Sequence, residues 1–296
     1  RSRVVLAHDL SDDYSGFFRA TVHGGGVLAE SGGEFTGCVF EDCATSMGRG
    51  GGLASSGGSL EIDDCDYIAN TVGVSAVQFG PQGFMAEGGD LSVEIDGQAT
   101  ITRSRFSGFV VGGQVLGGSI RILGNALLID CEITSLSSID DARVDSALSN
   151  MIGKGGGIFV DGDVVLNACT VTGGLQAVTD TGGNKNILAA STFGGGVYAT
   201  GDLHSTSSDF IDCSITSSSG YDRNAVVEGA AISASNLSIT GGTFTGCSAN
   251  ATSWPTTYTS ASVLGGLIEA RGSLDIVNAA ITENGCGASG PSPSIS

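Results

Sequence analysis

The chain has 296 residues, of which 49 are glycine and 41% are hydrophobic, and its net charge is −19. Glycine at more than twice its usual share of about 7%, without a G-X-Y period, excludes collagen, and the apolar content excludes a disordered chain. Acid in such excess, with Lys154 and Lys185 as the two lysines, excludes the basic footprint of a nucleic-acid binder. No run of 18 apolar residues is present, so no membrane-spanning segment is expected.

Residues 1–23 carry an apolar run from Val4 to Ala7 and a second around Phe17 and Phe18, which reads as an N-terminal cap or a degenerate coil. From residue 24 to residue 286 one unit returns, seen most plainly in GGGIFVDGDVVLNACTVTGG, Gly155 to Gly174. A glycine lead opens each copy, at Gly24, Gly50, Gly88, Gly117, Gly155, Gly194, Gly229 and Gly265. Successive leads are 26, 38, 29, 38, 39, 35 and 36 residues apart, the spacing of a solenoid, propeller or array.

Each copy also has an apolar anchor: Phe40, Tyr67, Phe106, Ile133, Val171, Phe210, Phe244 and Ile281. Five places before the anchors stand Phe35, Ile62, Ile101, Leu128, Leu166, Ser205, Ile239 and Ile276, apolar but for one. Two places before stand Cys38, Cys65, Ser104, Cys131, Cys169, Ser208, Gly242 and Ala279, all small. Three places after stand Cys43, Asn70, Phe109, Leu136, Gly174, Cys213, Cys247 and Asn284.

Between these columns the apolar alternation has period 2, the strand period, and no capped stretch of helical period occurs. Short strands at this spacing predict an all-β fold, a parallel β-helix of about eight coils. A coil of some 36 residues loses roughly 1–2 kcal/mol of backbone entropy per residue, and its few inward side chains return about 1.5–3 kcal/mol each. One coil cannot fold alone, so neighbours must supply the ladder and close the core.

Coil lengths differ between the third residue after an anchor and the next lead, so the inserts all leave one corner and decorate one face. Apolar pairs that end several inserts, such as Met151 and Ile152 or Val226 and Val227, predict a third strand. Residues 287–296 read as a flexible tail or linker, too poor in apolar residues to cap a solenoid. Edges and a core cross-section left open predict work inside a larger assembly, with other protein subunits or further domains of the same chain as partners.

Groups that carry chemistry are few. Asp140, Asp141 and Asp145 beside Arg143 are the best local set for a carbohydrate-active centre, with Asp63 and Asp64 a second pair; solvated surface charge explains either set as well. His8, His23 and His204 fall on different coils and form no triad. No RTX nonapeptide or Thr-x-Thr ladder is present, and no metal or cofactor is expected. SWPTTYT at 253–259 is an aromatic insert that suits contact with a surface glycan or packing on its own coil. Asn236 and Asn250 begin N-x-S/T sequons.

The eight cysteines form neither a zinc nor a redox motif and sit in the repeat columns. Adjacent strands lie about 4.8 Å apart, inside the Cα separation of roughly 4.4–6.8 Å that a disulfide spans. Cys38 with Cys65, Cys131 with Cys169, and Cys213 with Cys247 are therefore candidate disulfides, against the alternative of reduced core thiols. Oxidation would place the chain outside the cytosol.

Glycine leads followed by an aromatic and, three residues on, a short polar residue resemble the repeats of the chlamydial polymorphic outer-membrane protein family, whose motifs are GGA with Ile, Leu or Val and Phe-x-x-Asn. The second motif stands here as YIAN (67–70) and ITEN (281–284), and with cysteine for asparagine as FEDC (40–43), FIDC (210–213) and FTGC (244–247). The resemblance implies a right-handed parallel β-helix serving as an extracellular passenger or adhesin. Phe109, Leu136 and Gly174 depart from the motif. The sequence therefore predicts a non-enzymatic extracellular or cell-surface protein, an adhesin-like stalk or a subunit of a filament or coat. The competing expectation is a polysaccharide lyase or hydrolase.

Overall fold

The computed structural model describes residues 22–45, 48–73, 85–112, 114–140, 151–178, 189–219, 224–253, 260–290 and 293–295. Every regular element among them is a strand, and the strands pair in parallel into three sheets of nine, fourteen and fourteen strands. Each coil visits the three in turn. The strand after the glycine lead and the one carrying the five-before column form a lead sheet, the anchors begin an anchor sheet, and the strand before the next lead belongs to a closing sheet. The predicted third strand is this last one, as in Met151–Lys154, Asn224–Glu228 and Ala261–Leu264.

The registers reproduce the sequence columns. Phe35, Ile62, Ile101, Leu128, Leu166, Ser205, Ile239 and Ile276 are paired in succession, and so are the anchors from Phe40 to Ile281. Both columns are buried through the middle of the stack, but Ile276 is 37% and Ile281 51% exposed. They lie in the last described coil, where no further strand covers them. The segment expected as a tail also departs from expectation: Gly285–Ser289 and Pro293–Ile295 join the ladders, because Ala249 and Ala261 offer their strand edges to them. Val22–His23 pairs with Gly48–Arg49, so the proposed N-terminal segment ends in a strand of the solenoid.

Corners explain the small residues. Every lead glycine has φ between 52° and 67°, the left-handed region that an L side chain adopts only with strain. A second left-handed corner falls three residues before each anchor, from Gly37 to Asn278, and is held there mostly by Asp, Ala, Ser, Arg or Asn.

At the corner three residues past the anchor, strand pairing breaks and a side chain replaces it. The Asn70 amide accepts from the Cys43 N–H at 2.9 Å and donates to the Phe40 carbonyl at 3.0 Å, one coil back. Asn284 does the same with Cys247 and Phe244, at 2.8 and 2.9 Å. Where cysteine stands instead, its thiol donates to the same carbonyl: Cys213 to Val171 at 3.4 Å and Cys247 to Phe210 at 3.5 Å.

In the middle coils that corner is absent. Glu132–Asp140 and Thr170–Val178 run straight through it, which turns Leu136 outward, 72% exposed, and Ser135 inward. Phe109 turns outward likewise. The polar space inside is then filled from the glycine lead, by Asp90 in GGDL and Ser119 in GGSI.

Aromatic anchors stack along the axis, with Phe40, Tyr67 and Phe106 in one run at centroid separations of 4.5 and 4.6 Å and Phe210 and Phe244 at 4.8 Å. The Tyr67 hydroxyl is buried in this stack with no hydrogen-bond partner among the described residues. A buried hydroxyl without a partner is destabilising by about 1–3 kcal/mol. Tyr67→Phe should therefore raise the urea midpoint, by about 1 kcal/mol of stability; a lower midpoint would show that the hydroxyl is satisfied.

Candidate functional site: a groove along the glycine corner

The left-handed glycine corner is re-entrant, so the outward faces of the closing and lead sheets meet across it. One wall is the residue just before each lead: Arg49, Glu87, Leu116, Lys154, Phe193, Glu228 and Leu264. The other is the outward residue of each lead strand: Leu28, Ala54, Ser92, Arg121, Phe159, Tyr198, Ser233 and Glu269. Although they point away from the core, residues from Ala54 to Ser233 on this wall are buried, because the opposite wall covers them.

Side chains close the groove along much of its length. Lys154 Nζ lies 4.9 Å from the Tyr198 ring centroid, and Tyr198 stacks on Phe159 at 5.7 Å and meets Phe193 edge-on at 6.0 Å. Arg271 covers the Tyr198 face at 5.1 Å and donates to its hydroxyl at 2.9 Å. Burial, and then the charge of Glu269, raises the Glu228 carboxyl above its ordinary range.

At the early coils the lining changes from rings to charge. The buried Arg121 places Nε 3.0 Å from Glu87 Oε2 and Nη1 3.1 Å from Glu94 Oε1, and Nη1 also donates to Ser92 at 3.2 Å. Burial pulls its guanidinium down to about 10, which leaves it charged at neutral pH. Arg49 sits 2.6 Å from the same Glu87 oxygen and also pairs with Glu94. Beside this box Ala54 and Ser92 are too small to fill the groove, and a depression of about 320 Å³ remains, bordered by Leu28, Glu30, Arg49, Ser56 and Glu94.

The sequence-predicted residues fall elsewhere. Asp140 ends a strand of the anchor sheet, while Asp141, Arg143 and Asp145 lie outside the described residues, as do Trp254 and Tyr258. Asp63 accepts from Thr102 at 2.5 Å and pairs with Arg103, and Asp64 occupies a left-handed corner, so this pair serves its own turn. His204 is exposed, and the His8 and His23 side chains lie outside the described residues. Asn236 donates to Asp202 at 2.7 Å and accepts from the Ser273 N–H at 2.8 Å, so its amide is engaged between coils. Asn250 is exposed on its strand, and a glycan would meet no such obstacle there.

All eight cysteines are free thiols in this structure. Cys65, Cys131 and Cys169 donate at 3.4 Å to carbonyls one coil back, at Phe35, Ile101 and Leu128. The predicted partners do stack: Cys38 donates its N–H to Cys65 Sγ at 3.4 Å, and contact with the Cys169 thiol and burial raise Cys131. The Cys247 thiol and burial raise Cys213 likewise, and burial pushes Cys65 up to about 11. Such thiols are poor nucleophiles.

The groove charges escaped sequence analysis because Arg49, Glu87, Glu94 and Arg121 belong to four copies of the unit and three columns. A signal was present in the residue before each glycine lead, where Arg49, Glu87, Lys154 and Glu228 are charged in otherwise apolar or small surroundings. Among the described residues no group of three or more His, Cys, Asp or Glu is placed to hold a metal, and no helix is long and apolar enough to cross a membrane. No family model, curated protein or solved structure matches the chain.

Proposed function

We propose that the chain is a non-enzymatic surface solenoid, an extracellular stalk or a subunit of a filament or coat, with the groove as its contact face. The observation that carries this is the matching of charge in the groove: the guanidiniums of Arg49 and Arg121 are both shared between Glu87 and Glu94. Acid–base catalysis needs one group free to give a proton and another free to take it, and here Glu87 and Glu94 are both committed to cations.

Oxidation of the stacked cysteines would place the chain in an oxidising compartment. Protein recovered from its native location and digested without reduction should yield linked peptides joining Cys38 to Cys65, Cys131 to Cys169 and Cys213 to Cys247; eight free thiols would remove this support.

One observation favours a carbohydrate-active enzyme instead: Glu30 and Glu94 border the same depression, as a pair of carboxyls does in glycoside hydrolysis. Incubation of the purified protein with neutral and acidic polysaccharides, followed by assay for new reducing ends and unsaturated uronic acids, separates the two. No product is expected. Product formation that disappears in Glu94→Gln would establish the enzyme.

A further inference from the structure

We infer that the depression at the early coils of the groove is a binding site for a neutral oligosaccharide; this rests on the reading of the groove as a contact face. The walls there are preorganised. Buried Glu87 holds Arg49 at 2.6 Å, and Arg121 holds Glu94 at 3.1 Å and Ser92 at 3.2 Å, so Arg49, Glu94 and Ser92 are fixed before a ligand arrives. A volume of about 320 Å³ is at the small end of the range for small-molecule sites and suits one or two sugar rings.

The chemistry of the lining selects the class. Carboxylates of Glu30 and Glu94 accept, the Arg49 guanidinium donates, and the Ser56 hydroxyl does both, an alternation that matches neighbouring sugar hydroxyls. Leu28, 46% exposed, and Ala54 supply an apolar side for the C–H face of a ring. A polyanion would meet two carboxylates on a chain of net charge −19. A cationic ligand would meet Arg49 in the depression and, in Glu94, a carboxylate already shared with two guanidiniums.

The test is saturation-transfer NMR and calorimetry on the full chain with neutral tetrasaccharides of the β-1,3-glucan, β-1,4-glucan, α-1,4-glucan and mannan types, and with oligogalacturonate as the acidic comparison. At least one neutral tetrasaccharide should bind with little dependence on salt. Ser56→Trp, which blocks the rim, and Glu30→Gln, which removes a charged acceptor outside the ion-pair box, should each weaken it tenfold or more with an unchanged unfolding midpoint. No binding at 10 mM ligand, a preference for oligogalacturonate, or equal affinity in both variants would each overturn the inference. Cleavage of a bound neutral tetrasaccharide would overturn the non-enzymatic reading instead and leave the ligand class standing.

Discussion

Gly156→Ala is expected to lower the unfolding free energy by about 3 kcal/mol or more, the upper range of overpacking, while Gly73→Ala should be neutral or stabilising by about 0.5 kcal/mol. The two differ in what a Cβ would meet. At Gly156 it would stand 2.2 Å from the Gly195 carbonyl oxygen of the next coil and 2.7 Å from the Gly174 carbonyl of its own. Both obstacles are backbone, held in the ladder by bonds such as Gly156 N–H to Gly194 O at 2.9 Å, and neither can rotate aside. At Gly73 nothing among the described residues lies within 4 Å of an added Cβ and φ is not positive. Because each coil is stabilised only by its neighbours, damage at Gly156 should also divide the solenoid, with the coils on either side melting separately. Urea unfolding followed by circular dichroism reads both effects; a single unshifted transition in Gly156→Ala would show that the corner opens freely.

The fold was legible because a parallel solenoid writes its register directly into the sequence. Residues that share a column share a neighbour, so the Phe35 to Ile276 series could be set out from spacing alone and the ladder pairs the same residues. The groove was not legible, because it arises where two walls separated by a glycine corner turn toward each other, and spacing along the chain says nothing about which outward faces converge. The meaning of the departures at Phe109 and Leu136 was half visible. Two of the three coils that lose Asn or Cys at that corner have leads that read GGD and GGS rather than GGG. In those two coils the polar side chain inside comes from the lead, as Asp90 and Ser119, instead of from three residues past the anchor. Glycine at both places, in the coil of Gly157 and Gly174, leaves that corner to backbone and to Gly173 turned inward.

Asp90 is the most consequential of these corner residues, and stability should fall as pH rises from 5 to 8 by about 3 kcal/mol more in the native protein than in Asp90→Asn. The carboxyl is fully buried, and burial raises it from 3.8 to about 7 in spite of donors that favour the charged form: Asn70 Nδ2 at 2.9 Å, Ser119 Oγ at 2.5 Å and the Gly108 N–H at 2.5 Å. The neighbouring titratable groups, Cys43 and Tyr67, carry no positive charge to compensate it, and both are themselves raised by burial. The sign follows from the order of proton release. Below the unfolded value of 3.8 both states hold the proton and Asp90 carries no penalty. Between 3.8 and about 7 the unfolded chain has lost its proton while the folded chain keeps it, so stability declines by about 1.4 kcal/mol per pH unit and then levels off. From pH 5 upward roughly two such units remain, hence the figure of about 3 kcal/mol. Asn in this place has no proton to lose, so its stability curve keeps the slope of the remaining carboxylates and lacks this component. Urea unfolding of both proteins at pH 5, 6, 7 and 8 measures the difference. Parallel curves would mean that Asp90 is ionised throughout and that its three donors outweigh its burial.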